Sequence, residues 1–126
     1  MKKKKILITD DEENIRLLVS NMLGKDYVVL WASDGREAVD MARSYQPDLI
    51  LMDILMPKMD GYTACNKIKT DPITRAIPVV MLTAVDHELN VKLSQEMGAN
   101  GYITKPFTPR DLLAAVDQFL KTPGEA

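Results

Sequence analysis

The chain alternates short, almost wholly apolar runs with stretches in which apolar residues recur at helical spacing, and this alternation constrains the fold. Five apolar runs cover residues 6–8, 27–32, 49–52, 79–82 and 101–104, and a helical pattern follows each run. Strands separated by helices pair in parallel through right-handed crossovers. Strands that are apolar throughout belong to a sheet covered on both faces. The sequence therefore predicts a three-layer α/β sandwich of five strands and five helices.

Capping residues indicate where the helices begin and end. Gly24 follows the first helical pattern and is expected to cap it. Asp34 followed by Glu37 resembles a capping box, and Thr108 before Pro109 supplies an N-cap and a first-turn proline. The periodicity also predicts inward-facing residues in the second and last helices, among them Tyr45, Leu112, Leu113 and Val116.

The composition excludes several classes of protein. At 126 residues the chain fits one domain, and its net charge of −2 argues against a basic nucleic-acid binder. No apolar stretch approaches the length of a transmembrane helix. The four lysines at residues 2–5 precede only three apolar residues. We therefore interpret them as a solvated segment before the first strand rather than as a secretory signal. The single cysteine, Cys65, rules out an intrachain disulfide. We expect a cytoplasmic protein with no direct contact to nucleic acid or membrane.

Polar residues of one narrow chemical set stand at the ends of four apolar runs. Asp10 and Asp11 follow the first run, and Asp53 follows the third. Thr83 follows the fourth run and Lys105 the fifth. The carboxyl ends of neighbouring parallel strands line up at one edge of a sheet, so these side chains are expected to converge there. Carboxylates are the ligands that Mg²⁺ prefers, and a carboxylate can also serve as a nucleophile toward phosphorus. The pattern predicts a metal and phosphoryl site.

Residues 4–120 resemble the receiver domain of two-component response regulators. The motifs that carry the resemblance are Ile-Leu-Ile-Thr-Asp10-Asp11-Glu, Asp53-Ile-Leu-Met-Pro57-Lys-Met-Asp60-Gly61, Thr83-Ala84 and Lys105-Pro106-Phe107. Each motif alone is weak, but the set is highly specific in this order and at these spacings. The resemblance implies a flavodoxin-like sheet with strand order 2-1-3-4-5. It also implies a receiver domain over residues 1–121 and a flexible tail over residues 122–126.

The resemblance implies a role for each acidic residue at the strand ends. Asp53 would be the phosphoacceptor. Asp10 and Asp11 would hold Mg²⁺ together with Asp53 and the backbone carbonyl of Leu55. Such a protein is not an enzyme in the usual sense, because it catalyses only its own phosphorylation and dephosphorylation.

The remaining family positions imply a switch. Thr83 and Lys105 would contact the phosphoryl group, Tyr102 matches the aromatic switch position, and the peptide bond from Lys105 to Pro106 is usually cis in the family. A sensor histidine kinase or phosphotransfer protein would be the donor. The face formed by the fourth helix, the fifth strand and the fifth helix would change its affinity for a downstream effector, and the protein would be a monomer or a phosphorylation-linked dimer.

Two apolar residues beside the site bear on the lifetime of the phosphorylated state. In the family, the second residue after the phosphoacceptor and the second after the switch threonine tune hydrolysis. Here these are Leu55 and Val85, and neither side chain can orient an attacking water. We therefore expect slow self-dephosphorylation.

Two other classes share parts of the pattern. A haloacid-dehalogenase-like phosphatase also uses Asp, Thr, Lys and Mg²⁺, but its nucleophile closes the first strand and its acidic pair comes late. A pseudo-receiver has the fold without phosphorylation and usually lacks the acceptor Asp or the Lys, both of which are present here. The segment after Leu120 is too short for an output domain, so a stand-alone protein acting through a partner is favoured over a fragment of a longer regulator.

Overall fold

Parallel strands and helices alternate along the whole described chain, as the periodicity predicts. The computed structural model describes the backbone of residues 3–83 and 88–120, and the side chains of residues 3–82 and 92–120. The strands are β1 (Lys4–Thr9), β2 (Tyr27–Ala32), β3 (Leu49–Asp53), β4 (Val79–Thr83) and β5 (Gly101–Thr104). The helices are α1 (Glu13–Leu23), α2 (Gly35–Tyr45), α3 (Gly61–Thr70), α4 (Glu88–Glu96) and α5 (Pro109–Leu120), and a short 3₁₀ turn (Gly24–Asp26) joins α1 to β2.

The strands form one parallel sheet in the order β2-β1-β3-β4-β5, which confirms the predicted topology. The register places Thr9 of β1 opposite Met52 of β3, and Asp53 opposite Leu82 of β4. The carboxyl ends of the three central strands are therefore level. This alignment brings the residues that follow or end those strands to one edge of the sheet.

An apolar core covers each face of the sheet. Successive strand residues point to opposite faces, so Leu7 and Ile50 join a cluster with α2 and α3, whereas Ile8 and Leu51 join a second cluster with α1 and α5. Every residue of β3 is buried. Burial of each such Leu or Ile side chain contributes about 1.5–3 kcal/mol. The strand that carries Asp53 is thus buried along its whole length.

The predicted caps are present at three helix ends. The Asp34 side chain accepts a hydrogen bond of 2.8 Å from the Glu37 backbone N–H. The Thr108 hydroxyl accepts one of 3.1 Å from the Asp111 backbone N–H, and Asp111 accepts one in return from Thr108. Gly24 caps α1 with φ of +61°, a conformation that glycine adopts without steric cost.

Two predictions of burial are wrong. Tyr45 is half exposed because it is the last residue of α2, beyond the turns that bury Ala38 and Ala42. Leu113 is also exposed, because it lies about 100° around α5 from its buried neighbour Leu112, so both cannot face the sheet. Within residues 3–83 and 88–120, no helix combines the length and apolarity that crossing a bilayer requires.

Candidate functional site

One lysine joins two carboxylates at the carboxyl edge of the sheet. The Lys105 Nζ atom lies 2.9 Å from Asp10 Oδ2 and 3.4 Å from Asp53 Oδ1. Asp10 follows β1, Asp53 ends β3 and Lys105 follows β5, so residues from three strands meet at one point. The predicted convergence of these three residues is confirmed.

Asp10 is completely buried, and each of its polar groups has a partner. Its backbone N–H donates to the Ala32 carbonyl at 3.1 Å, and its own carbonyl accepts from the Trp31 indole N–H at 3.0 Å. Its side-chain Oδ1 accepts from the Glu12 backbone N–H at 2.9 Å, and Oδ2 accepts from Lys105. A buried carboxylate is tolerable only when it is paired in this way. Asp10 is therefore held in one orientation.

The Asp53 carboxylate is nearly buried and has an unusually high proton affinity. Burial raises its pKa, the negative charge of Asp10 raises it further, and the charge and hydrogen bond of Lys105 oppose both, so that the pKa is raised to about 6. The Ile54 backbone N–H also donates a 2.8 Å hydrogen bond to Asp53 Oδ1. At neutral pH the group is mostly ionised, yet it is a stronger base than an ordinary aspartate.

Lys105 stays protonated in this environment. Burial alone lowers its pKa, but the hydrogen bond and charge of Asp10, together with those of Asp53, raise the pKa above its ordinary value. The ammonium group is thus a fixed positive charge between two carboxylates. Such a charge can stabilise an incoming anion without further reorganisation.

A cluster of carboxylates beside Lys105 fits the chemistry of a divalent cation. Ligand atoms of Asp10, Asp11 and Glu12 all lie within 4.8 Å of one another, with Asp10 buried and the other two exposed. Mg²⁺ binds through hard oxygen ligands and usually keeps several waters, for which the exposed side leaves room. The donor set therefore fits Mg²⁺. Glu12 was not predicted as a candidate ligand from the sequence, although its position directly after the acidic pair was a signal for it.

The loop between β3 and α3 folds back over the end of β3 at a glycine. A Cβ atom on Gly61 would lie 2.1 Å from the Asp53 carbonyl oxygen, and the Gly61 backbone N–H donates to the Ile54 carbonyl at 2.7 Å. Only glycine permits so close an approach. Leu55, whose carbonyl is the predicted metal ligand, lies in this loop with its side chain 77% exposed.

Of the predicted switch residues, Thr83 ends β4 and Tyr102 is the second residue of β5. Thr83 pairs with Thr104 in the sheet, but its side chain lies outside the described residues, as does Val85, so their roles stay predictions. Tyr102 is 44% exposed and lines a groove of about 460 Å³ between β5 and α5. The peptide bond between Lys105 and Pro106 is cis, as the resemblance implies.

The chain belongs to the response regulator receiver domain family, whose model matches residues 6–117. It is 44% identical over 119 residues to the alkaline phosphatase synthesis transcriptional regulatory protein PhoP of Bacillus subtilis (strain 168). It is 45% identical over 113 residues to the response regulator PleD of Caulobacter vibrioides (strain NA1000 / CB15N). The matches cover 94% and 89% of this chain, but only 49% and 25% of those relatives. The chain thus spans at most about half their length.

Two solved structures match this chain over their whole length. A putative response regulator from Chloroflexus aurantiacus J-10-fl superposes with a TM-score of 0.90 at 34% identity, covering 96% of this chain and 100% of that one. The receiver domain of the sensor histidine kinase PA1611 from Pseudomonas aeruginosa PAO1 superposes with a TM-score of 0.88 at 29% identity, with the same coverage. That structure has a magnesium ion coordinated in its active site cleft.

Proposed function

We propose that this chain is a phosphorylation-dependent signalling switch in which Asp53 accepts a phosphoryl group from a sensor histidine kinase or a phosphotransfer protein. The observation that carries the proposal is the position of Lys105, 2.9 Å from Asp10 and 3.4 Å from Asp53. A fixed cation beside a carboxylate nucleophile can stabilise the negative charge of a transferred phosphoryl group, which is the main need of this chemistry. Membership of the receiver family supports the same role.

The nucleophile is Asp53 Oδ2. Within the part of the chain that the structure describes, the contacts that fix the carboxylate come from Ile54 and Lys105, and both engage Oδ1. As Oδ2 bonds to phosphorus, the bond from phosphorus to the donor nitrogen breaks, and its electron pair returns to that nitrogen. With a pKa of about 6, Asp53 is mostly ionised at neutral pH and more basic than an ordinary aspartate, both of which favour the attack.

The remaining site residues neutralise the phosphoryl oxygens. Lys105 is placed to contact one oxygen, and the Thr83 hydroxyl would contact another. Mg²⁺ held by Asp10, Asp11, Asp53 and the Leu55 backbone carbonyl would supply the rest of the neutralisation, because phosphoryl transfer depends chiefly on positioning and electrostatic stabilisation. The closely spaced carboxylates of Asp10 and Asp11 support this assignment.

The output of the switch is a change on the face formed by α4, β5 and α5. Movement of Thr83 toward the phosphoryl group would vacate space into which Tyr102 can turn. Tyr102 is half exposed before phosphorylation and lines the groove between β5 and α5, so its movement would reshape that groove. A downstream effector, or a second phosphorylated copy of the chain, would then bind with altered affinity, because ligands shift such an equilibrium only through contacts that differ between the states.

We propose that the chain catalyses only its own phosphorylation and dephosphorylation, and that the dephosphorylation is slow. Leu55 is apolar and largely exposed, so it offers no group to orient a water near Asp53. Val85 is equally apolar.

Incubation with acetyl phosphate and Mg²⁺, followed by intact-mass measurement, tests the proposal. We expect the wild-type chain to gain the mass of one phosphoryl group, and Asp53→Asn to gain none. Asp117→Asn, which changes an exposed aspartate on α5, is the matched control and should react like the wild type. Uptake by Asp53→Asn equal to that of the wild type would rule out the assigned acceptor, and chelation of Mg²⁺ should slow uptake in both reactive forms.

A further inference from the structure

Trp31 contacts the acidic site from the edge strand of the sheet. Its indole N–H donates a 3.0 Å hydrogen bond to the backbone carbonyl of Asp10. Trp31 precedes the last residue of β2, and its ring packs against the core cluster shared by α1 and α5. The same strand also accepts the Asp10 backbone N–H through the Ala32 carbonyl. The backbone of Asp10 is thus held by β2 on both sides.

The carbonyl that Trp31 holds belongs to the peptide unit joining Asp10 to Asp11. The plane of that peptide fixes the position of the Asp11 N and Cα atoms, from which the Asp11 side chain extends, because a peptide unit is rigid. The Asp10 carboxylate is fixed independently by Glu12 and Lys105. The Trp31 hydrogen bond therefore restrains the point from which the exposed Asp11 side chain extends, relative to the buried carboxylate of Asp10.

Arg16 holds the indole ring in place. Its guanidinium carbon lies 4.2 Å from the centroid of the Trp31 ring, within the range of a cation–π contact. Its Nε is buried and has no hydrogen-bond partner among the described residues, and its terminal nitrogen reaches Glu13 at 3.4 Å. The ring face is thus a principal contact of this side chain. Arg16 covers the indole and restrains its orientation.

We propose that Trp31 is a positioning residue for Mg²⁺ binding, acting through the peptide between Asp10 and Asp11. This inference rests on the proposed function, because it assumes that these two carboxylates bind the ion. A residue that only packed on the sheet would need no donor atom at this place. The N–H donor matters because it satisfies the carbonyl of a buried residue and fixes its direction. Groups that orient metal ligands commonly contribute tenfold or more to affinity.

The test exploits the fact that the chain contains one tryptophan. Expression in a tryptophan auxotroph can replace Trp31 by benzothienylalanine, in which sulfur stands in place of the N–H, or by 4-fluorotryptophan, which keeps the N–H. Both analogues preserve the shape of the ring and its contact with Arg16. We expect the dissociation constant for Mg²⁺, measured by isothermal titration calorimetry, to rise about tenfold for the sulfur analogue and to stay near the wild-type value for the fluorinated one.

A second variant and a stability control complete the experiment. Trp31→Phe removes the N–H by mutation and should weaken Mg²⁺ binding to a similar extent, which keeps the test decisive if the sulfur analogue does not fold. Ile68 is a buried residue of α3, so Ile68→Val should lower the melting temperature without changing the affinity for Mg²⁺.

The possible outcomes separate this inference from the proposed function. Equal Mg²⁺ affinity for the sulfur analogue, the fluorinated analogue and the wild type would overturn the role of Trp31 and leave the site itself intact. Absence of Mg²⁺ binding by the wild type would overturn both. If Ile68→Val weakens Mg²⁺ binding as much as the Trp31 variants do, at an equal loss of stability, Trp31 has only a packing role and the inference is overturned.

Discussion

The Lys105 ammonium donates a 2.9 Å hydrogen bond to Asp10 Oδ2, although the two residues are 95 positions apart in the chain. This contact joins the end of β5 to the end of β1 across two intervening strands. It spans the place where Asp53 ends β3, and the same ammonium lies 3.4 Å from the Asp53 carboxylate. One ammonium group thus contacts both acidic residues.

Removal of the Lys105 charge should raise the proton affinity of Asp53. The charge and hydrogen bond of Lys105 lower the pKa of Asp53, so in Lys105→Met we expect that pKa to rise above 6. Lys105→Arg keeps a cation and should leave the pKa near the wild-type value. Carbon-13 NMR titration of the aspartate carboxyl groups, without Mg²⁺, measures the change. Phosphoryl uptake at pH 7 should fall at least about tenfold in Lys105→Met, because an electrostatic contact to the transferring group is lost. An unchanged titration in Lys105→Met would contradict the assigned contact.

Ionisation of Asp53 should destabilise the fold when Mg²⁺ is absent. The pKa is raised from 3.8 to about 6 by folding, so the folded state binds more protons than the unfolded state between those values. The contribution of the protonated Asp53 carboxyl to the free energy of unfolding is therefore fully present below about pH 4, and it is lost as the pH rises through 6. At pH 7.5 we expect Asp53→Asn to raise the free energy of unfolding by about 1–3 kcal/mol, the upper value being the full shift. Urea unfolding in EDTA measures the difference.

The same comparison at low pH provides the control. Near pH 4 the wild-type carboxyl is protonated in the folded state, so the advantage of Asp53→Asn should shrink toward zero. Asp117→Asn, at an exposed position, should show no such dependence. A gain for Asp53→Asn that is equal at both pH values would show that charge is not its cause.

Two buried threonines should respond differently to replacement by valine. Thr9 is completely buried in β1, and its hydroxyl has no hydrogen-bond partner among the described residues. Thr74 is equally buried, but its hydroxyl donates a 2.7 Å hydrogen bond to the Ile68 carbonyl. We expect Thr9→Val to be neutral or stabilising and Thr74→Val to destabilise by about 1–2 kcal/mol, because only the second loses a hydrogen bond. Thermal unfolding of the two variants measures the difference, and equal losses would contradict this account.

A side chain at position 35 should destabilise the fold, because Gly35 contacts the loop that follows β3. A Cβ atom there would lie 2.2 Å from the Met59 carbonyl oxygen, and the Gly35 backbone N–H already donates to that oxygen at 3.2 Å. Gly35→Ala must push the loop away and should destabilise the fold by about 1–3 kcal/mol. At Gly101 an added Cβ would meet Phe119 at 3.4 Å, an ordinary contact, so Gly101→Ala is the matched control and should cost far less. Equal melting temperatures for the two variants would exclude this contact as the cause.

The sequence could predict the site where topology alone brings residues together. Asp10, Asp53 and Lys105 converge because parallel strands present their carboxyl ends at one edge, whatever the details of packing. The bond from Trp31 to Asp10 could not be predicted in this way, because it depends on the register of β1 against β2, which pairs Ile8 with Trp31. Apolar periodicity identifies strands but does not fix their relative register.

Burial at the helix ends was harder to predict for a different reason. Leu112 and Leu113 are both apolar and adjacent, so composition does not say which one faces the sheet. In the structure Leu112 is fully buried and Leu113 is exposed. The choice depends on the rotation of α5 about its axis, which packing against the whole core sets.

A polar residue at position 55 should shorten the lifetime of the phosphorylated chain. Leu55 follows Asp53 by two residues, and its side chain is 77% exposed, so a polar replacement there would meet little steric resistance. In Leu55→Asn an amide could orient water for attack on the phosphoryl group, and we expect dephosphorylation to accelerate by roughly tenfold, less than a fully positioned general base contributes. Leu113→Asn places the same amide on exposed α5 and should change nothing. Decay of the phosphorylated mass after removal of acetyl phosphate gives each rate. A wild-type lifetime of seconds that polar residues at positions 55 and 85 leave unchanged would show that these side chains do not control hydrolysis.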